Sequence, residues 1–152
     1  MGIGEPSTND LRLVLLEMKR QPVVVDTELG PANPVEPDET SRAFELTWWR
    51  YVAYSIRNES FYQPEEGQAL PEGLSGTREA SAYLAYVSTT TFASDDYPGP
   101  LTHWFVNAEW HCIDVVSDNA PEVRELDPEE VSVLIEARQS PPVFAASPRK
   151  VH

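Results

Sequence analysis

Residues 101–117 read Leu-Thr-His-Trp-Phe-Val-Asn-Ala-Glu-Trp-His-Cys-Ile-Asp-Val-Val-Ser, and this stretch decides the fold. It holds two of the three histidines, the single cysteine and two of the four tryptophans. Apolar and polar residues alternate on either side of a polar centre, the pattern of a β-hairpin. With residues 107–110 as the connection, Val106 pairs with His111, Phe105 with Cys112, Trp104 with Ile113 and His103 with Asp114, because antiparallel partners keep a constant index sum. Alternation then puts His103, Phe105, Cys112 and Asp114 on one face. Trp104, Val106, His111, Ile113 and Val115 take the other, which is the better core face.

Outward from the hairpin, residues 42–60 supply the next strands. Phe44, Leu46 and Trp48 alternate with polar residues, and after Trp49 the apolar phase shifts to Val52, Tyr54 and Ile56. The shift predicts a bulge, a bend or a crossing into a second strand. Arg57-Asn58-Glu59-Ser60 displays polar groups at the strand end. A helix is predicted over 11–20 from Leu11, Val14, Leu15 and Met18 on one face, in preference to the strand that Leu11, Leu13 and Leu15 would also suit. Val23 to Val25 is a short strand candidate. Residues 28–40, with three prolines and a glycine, are expected to form an exposed irregular loop, and residues 63–76 a turn-rich one. Thr77 caps a predicted helix from Arg78 that frays near Ser88. Residues 94–100 form a turn cluster, and residues 121–126 an edge strand. Asp127-Pro128-Glu129-Glu130 starts a helix with Asp as the cap and Pro at the first helical position. The predicted fold is α+β: an antiparallel sheet from strands at about 42–60 and the hairpin 101–117, with two or three helices packed on one face. A single domain over 1–138 is followed by a Pro/Ser-rich tail over 139–152.

Composition narrows the function classes. Twenty-five acidic residues against 11 basic ones give a formal net charge of −14. Such a surface repels phosphate backbones and anionic membranes, so no nucleic acid and no membrane is expected as a partner. A basic protein is the partner the charge favours. The lone cysteine cannot form an internal disulfide, the N-terminus lacks a secretion signal, and no apolar run reaches the ~20 residues of a membrane span. A cytoplasmic protein is expected.

The polar face of the hairpin offers a candidate catalytic set: Cys112 as nucleophile, His103 as base and Asp114 as its orienting acid. Against it, a mid-strand cysteine lacks the loop or helix N-terminus that activates a thiol, and is the type of residue that fills a core. Arg57, Glu59, Trp49 and Trp110 are the candidate ligand-binding residues, lining a pocket between the hairpin and the 57–60 strand end. The two tryptophans are expected to be exposed. His103, His111 and Cys112 lack the spacing of a metal module, and no phosphate-binding glycine loop occurs, so no metal and no cofactor is expected. The acid pairs Glu65-Glu66, Asp95-Asp96 and Glu129-Glu130 are accounted for by solvation and, in the last, by a helix dipole.

Tyr54 with Arg57-Asn58-Glu59-Ser60, and His103-Trp104 with Ile113-Asp114-Val115-Val116-Ser117, resemble motifs in a group of small uncharacterised bacterial proteins. The resemblance covers about a quarter of the chain. It implies a small α+β domain with an immunity- or inhibitor-like role, and it supplies no activity. Charge and resemblance together point to an acidic protein-interaction or inhibitor module. Small-ligand binding or hydrolysis in the hairpin pocket is the alternative, and whether the chain is an enzyme stays open.

Overall fold

The structure is a computed structural model that describes residues 2–4, 9–63 and 73–139. In chain order the strands are β1 (Gly2–Gly4), β2 (Asp10–Leu16), β3 (Lys19–Arg20), β4 (Val25–Thr27), β5 (Gly30–Ala32), β6 (Val35–Glu36), β7 (Ala43–Trp49), β8 (Ala53–Asn58), β9 (Ser75–Arg78), β10 (Thr102–Asn107), β11 (His111–Ser117) and β12 (Glu122–Glu125). A 3-10 turn (Glu59–Phe61) follows β8, α1 (Ala82–Thr90) follows β9, and α2 (Pro128–Gln139) follows β12. Strands dominate, and the antiparallel α+β character read from the sequence holds.

Two four-stranded sheets carry the architecture, ordered β1-β2-β7-β12 and β8-β11-β10-β9. Their apolar faces meet in one core, where Leu11, Leu13, Leu46 and Trp48 of the first sheet pack with Val106, Ile113 and Val115 of the second. Period-2 alternation puts these residues on facing sides. The helix predicted over 11–20 is therefore corrected to strand β2. Leu11 and Leu13 are both fully buried, and no helix would place them on one side. Alternation against a partner sheet outweighs the helix propensity of Leu, Arg and Glu.

The phase shift after Trp49 is a crossing between the sheets. Arg50 takes the left-handed region at φ 60°. The chain then leaves β7 with Tyr51 N–H donating to Asn9 O at 3.1 Å and enters β8 with Val52 N–H donating to Val116 O at 2.8 Å.

The hairpin forms, with its register two residues from the predicted one. Asn107 pairs with Cys112, Val106 with Ile113, Phe105 with Asp114, Trp104 with Val115 and His103 with Val116. The turn is tighter than expected, because Asn107 belongs to the strand and Ala108 N–H donates back to His111 O at 2.8 Å. A two-residue slip conserves parity, so every residue keeps the face assigned to it.

Thr77 does not cap a helix. Residues Ser75–Arg78 extend the sheet beside β10, with Gly76 opposite Phe105. A Cβ on Gly76 would lie 3.1 Å from the Phe105 ring, so any larger residue would push the ring back by a few tenths of an ångström. The cap is Ser81, whose Oγ accepts from Leu84 N–H at 3.0 Å. The helix runs through Thr90, beyond the fraying point expected near Ser88. The hydroxyls of Ser88, Thr89 and Thr90 occupy carbonyls of the preceding turn.

By its contacts the chain divides into two compact units: Met1–Leu15 with Phe44–Arg124, and Leu16–Ala43 with Glu125–His152. The first contains the sandwich core and α1. In the second, the 28–40 segment is not wholly irregular as expected. It contains β5 and β6, which form two-stranded ribbons with β4 and β3. Gly30, at φ 108°, completes the β4–β5 turn, and Pro31 is accommodated because a two-stranded ribbon leaves alternate N–H groups unused. α2 starts as the sequence indicates: Asp127 Oδ1 accepts from the N–H of Glu129 and Glu130, and Glu130 Oε2 accepts from Asp127 N–H, a reciprocal capping box. The predicted edge strand near 121–126 is β12. The Glu65-Glu66 pair and all of the 139–152 tail beyond Gln139 lie outside the described residues.

Candidate functional site

Parity gives the second sheet two unlike faces. The core face is apolar; the other carries His103, Phe105, Cys112, Asp114, Ser55 and Arg57, and α1 packs across β10 and β11. Two of these polar residues are buried on that face, while Arg57 stays exposed. His103 is 1% and Asp114 2% exposed.

A buried carboxylate survives only with partners. Asp114 Oδ1 lies 2.8 Å from His103 Nε2, while Oδ2 accepts from Arg57 Nη2 at 2.8 Å and from Ser55 Oγ at 3.3 Å. Burial pushes the Asp114 carboxyl up, but the His103 hydrogen bond and the Arg57 charge outweigh it, and the group sits below the ordinary Asp value. His103 and Asp114 are thus in contact as the sequence suggests, though by a diagonal across the ladder and not as directly opposed residues. The diagonal is within reach of side chains this long.

The other imidazole nitrogen faces a residue the sequence reading passed over. Ser81 Oγ is 2.6 Å from His103 Nδ1. In the tautomer that carries its proton on Nε2, toward Asp114, Nδ1 is an acceptor and the serine hydroxyl donates to it. Its oxygen still accepts from Leu84 N–H. Ser81 was hidden by Thr77, an equally good cap four residues earlier. Residues 74–79, Leu-Ser-Gly-Thr-Arg-Glu, carry no apolar alternation that announces β9, so nothing local displaces the helix start downstream. The Tyr83 ring packs edge-on to the imidazole, with centroids 5.6 Å apart.

Cys112 shares the face but not the relay. Its thiol is buried, and burial pushes its pKa up, away from the thiolate that nucleophilic attack requires. Both His103 nitrogens are engaged by Ser81 and Asp114, which leaves neither to act as base for Cys112.

Arg57 reaches Asp114 from the strand end and stacks on the Tyr62 ring at 5.6 Å. Glu59 begins the 3-10 turn, and its N–H donates to Trp110 O at 3.1 Å, so the strand end and the hairpin tip are adjacent. Trp110 is exposed at that tip, as expected. Trp49 is also exposed, but on the outer face of the other sheet, where its indole N–H donates to Glu122 at 3.1 Å. It does not join the other three. A pocket of about 240 Å³ opens there, lined by Arg12, Glu45, Thr47, Trp49, Glu122 and Arg124. Glu45 accepts from both arginines. Burial raises its carboxyl, and the two guanidiniums more than compensate, leaving it below the ordinary Glu value.

A third feature is a turn after α1. Ser94 and Tyr97 exchange backbone hydrogen bonds of 2.7 and 3.1 Å. The Phe92 and Tyr97 rings stack at 6.1 Å with an interplanar angle of 14°. They are 86% and 65% exposed, and the exposed carboxylates of Asp95 and Asp96 lie between them in sequence.

Among the described residues, no group of three or more His, Cys, Asp or Glu side chains is placed to hold a metal ion. No described helix is long and apolar enough to cross a membrane. Comparison with protein-family models, curated proteins and solved structures found no match.

Proposed function

We propose that this chain is a cytoplasmic, acidic protein-interaction module of the inhibitor or immunity kind, which engages a basic protein. The observation that carries the reading is the exposed Phe92–Tyr97 stack with Asp95 and Asp96 in its turn, on a chain of net charge −14. Exposed aromatic pairs cost solvation unless a partner covers them, and aromatic residues concentrate binding energy at interfaces. A guanidinium from the partner can lie on a ring face while a carboxylate accepts its N–H groups, a combination that favours Arg over Lys. The overall charge adds long-range steering.

The test is fluorescence titration with an Arg-rich and a Lys-rich peptide of equal charge, at low and high salt. The Arg peptide should bind more tightly, and Phe92→Ala with Tyr97→Ala should remove the difference at unchanged net charge. Equal binding of both peptides, indifferent to the ring substitutions, would reduce the interaction to bulk charge and end the reading.

A second reading, small-ligand binding or hydrolysis at the polar face of the second sheet, is favoured by the hydrogen-bonded order Ser81–His103–Asp114.

A further inference from the structure

We propose that Ser81 is a nucleophile, activated by His103 and Asp114, toward uncharged or cationic carboxylic esters. The inference rests on the second reading of function and is independent of the docking one.

Capping alone does not account for the arrangement. An N-cap serine needs only to accept from the helix, as Ser81 does from Leu84 N–H. Its oxygen also lies 2.6 Å from an imidazole nitrogen whose opposite nitrogen is 2.8 Å from a buried carboxylate. That carboxylate is fixed in turn by Arg57 at 2.8 Å. Proton acceptor, orienting acid and acid-holding cation therefore stand in line behind one hydroxyl, with the polarity that general-base activation requires. The exposure gradient is also the right one: Ser81 is half-buried, while His103 and Asp114 are sealed beneath it. Ser81 follows β9 and caps α1, so the positive end of the helix dipole lies beside its hydroxyl. The chain's charge of −14 disfavours anionic substrates, which leaves neutral and cationic esters.

The chemistry balances within these groups. Ser81 Oγ bonds to the ester carbonyl carbon as its proton passes to His103 Nδ1 and the carbonyl π pair moves to oxygen. Collapse breaks the carbon–alkoxide bond, and the alkoxide leaves as an alcohol with the proton from Nδ1. Water then adds to the acyl-serine, giving a proton to Nδ1. The carbon–Oγ bond breaks, Oγ recovers that proton, and the carboxylic acid departs.

The experiment treats the full chain with a fluorophosphonate, which bonds phosphorus to an activated serine with loss of fluoride, and maps the adduct by peptide mass. In parallel, p-nitrophenyl acetate hydrolysis is measured. A single adduct on Ser81 is expected. Ser81→Asn keeps a helix-capping acceptor, so it should retain the thermal transition and lose both adduct and hydrolysis. His103→Gln, if its circular dichroism is native, should slow labelling about 100-fold. Hydrolysis that persists in folded Ser81→Asn, or an adduct elsewhere, overturns the assignment of Ser81 and leaves the hydrolytic reading standing. A folded wild type that neither labels nor hydrolyses overturns both.

Discussion

Asp114 shows most clearly what one side chain controls. It joins β11 to β8 through Ser55 and Arg57, and to β10 through His103. Removing its charge leaves the Arg57 guanidinium without its carboxylate and a buried imidazole facing an amide. Asp114→Asn should therefore cost about 1–3 kcal/mol, chiefly from the buried imidazole left poorly paired since Arg57 can turn to solvent, and urea denaturation will measure it. A loss below about 1 kcal/mol would mean the network is no stronger than a surface ion pair. Cys112 gives the opposite expectation. At 4% exposure and with its thiol pushed up by burial, it should resist Ellman's reagent in the native protein and react fully after unfolding. The contact between His103 and Asp114 was legible because alternation fixes faces whatever the register. The partner on the far side of the imidazole was not, because Ser81 lies 22 residues away in sequence and no periodicity links a helix cap to a strand.

At the scale of elements, β2 and α2 mark the limits of local sequence signals. Asp127-Pro128-Glu129-Glu130 is a complete local instruction, and α2 obeys it. Asp127→Ala removes the acceptor for two N–H groups and should cost about 1 kcal/mol, seen as lost helical ellipticity and a lower urea midpoint. β2 illustrates the reverse. Leu11, Val14, Leu15 and Met18 suit a helix, while Leu11, Leu13 and Leu15 suit a strand, and composition favoured the helix. The deciding surface belongs to residues a hundred positions away, Val106, Ile113 and Val115, which no window around β2 contains. Leu13 separates the two readings, since only the strand buries it. Leu13→Ala should destabilise by about 2–5 kcal/mol in thermal or chemical denaturation, against well under 1 kcal/mol for a residue off the buried face of a helix.

For the whole molecule, the antiparallel, mainly strand-built character was legible from the hairpin and the 42–60 segment. The division of strands between two sheets was not, because it depends on a backbone reversal at Arg50 that side-chain alternation signals only as a change of phase. Acid stability also belongs to this scale. Asp114 and Glu45 both have carboxyl groups lowered in the folded chain from ordinary values of 3.8 and 4.5. Their contribution is complete above those ordinary values and is lost as pH falls through the lowered ones. Measured in high salt, which screens the repulsion among surface carboxylates, the melting temperature should be flat from neutrality to about pH 5 and drop steeply below about pH 4. A melting temperature that rises continuously to pH 3 would show that repulsion outweighs both of these carboxylates. The order of the strands has one more implication. All four strands of the second sheet, with α1, fall between β7 and β12 in the chain, and Ala53 at the beginning of that segment pairs with Val116 near its end. A segment that departs and returns at neighbouring points is a self-closing excursion, the geometry that tolerates insertion into a host and circular permutation. Grafting residues 53–117 between two adjacent strands of an unrelated sheet is therefore a design this strand order invites.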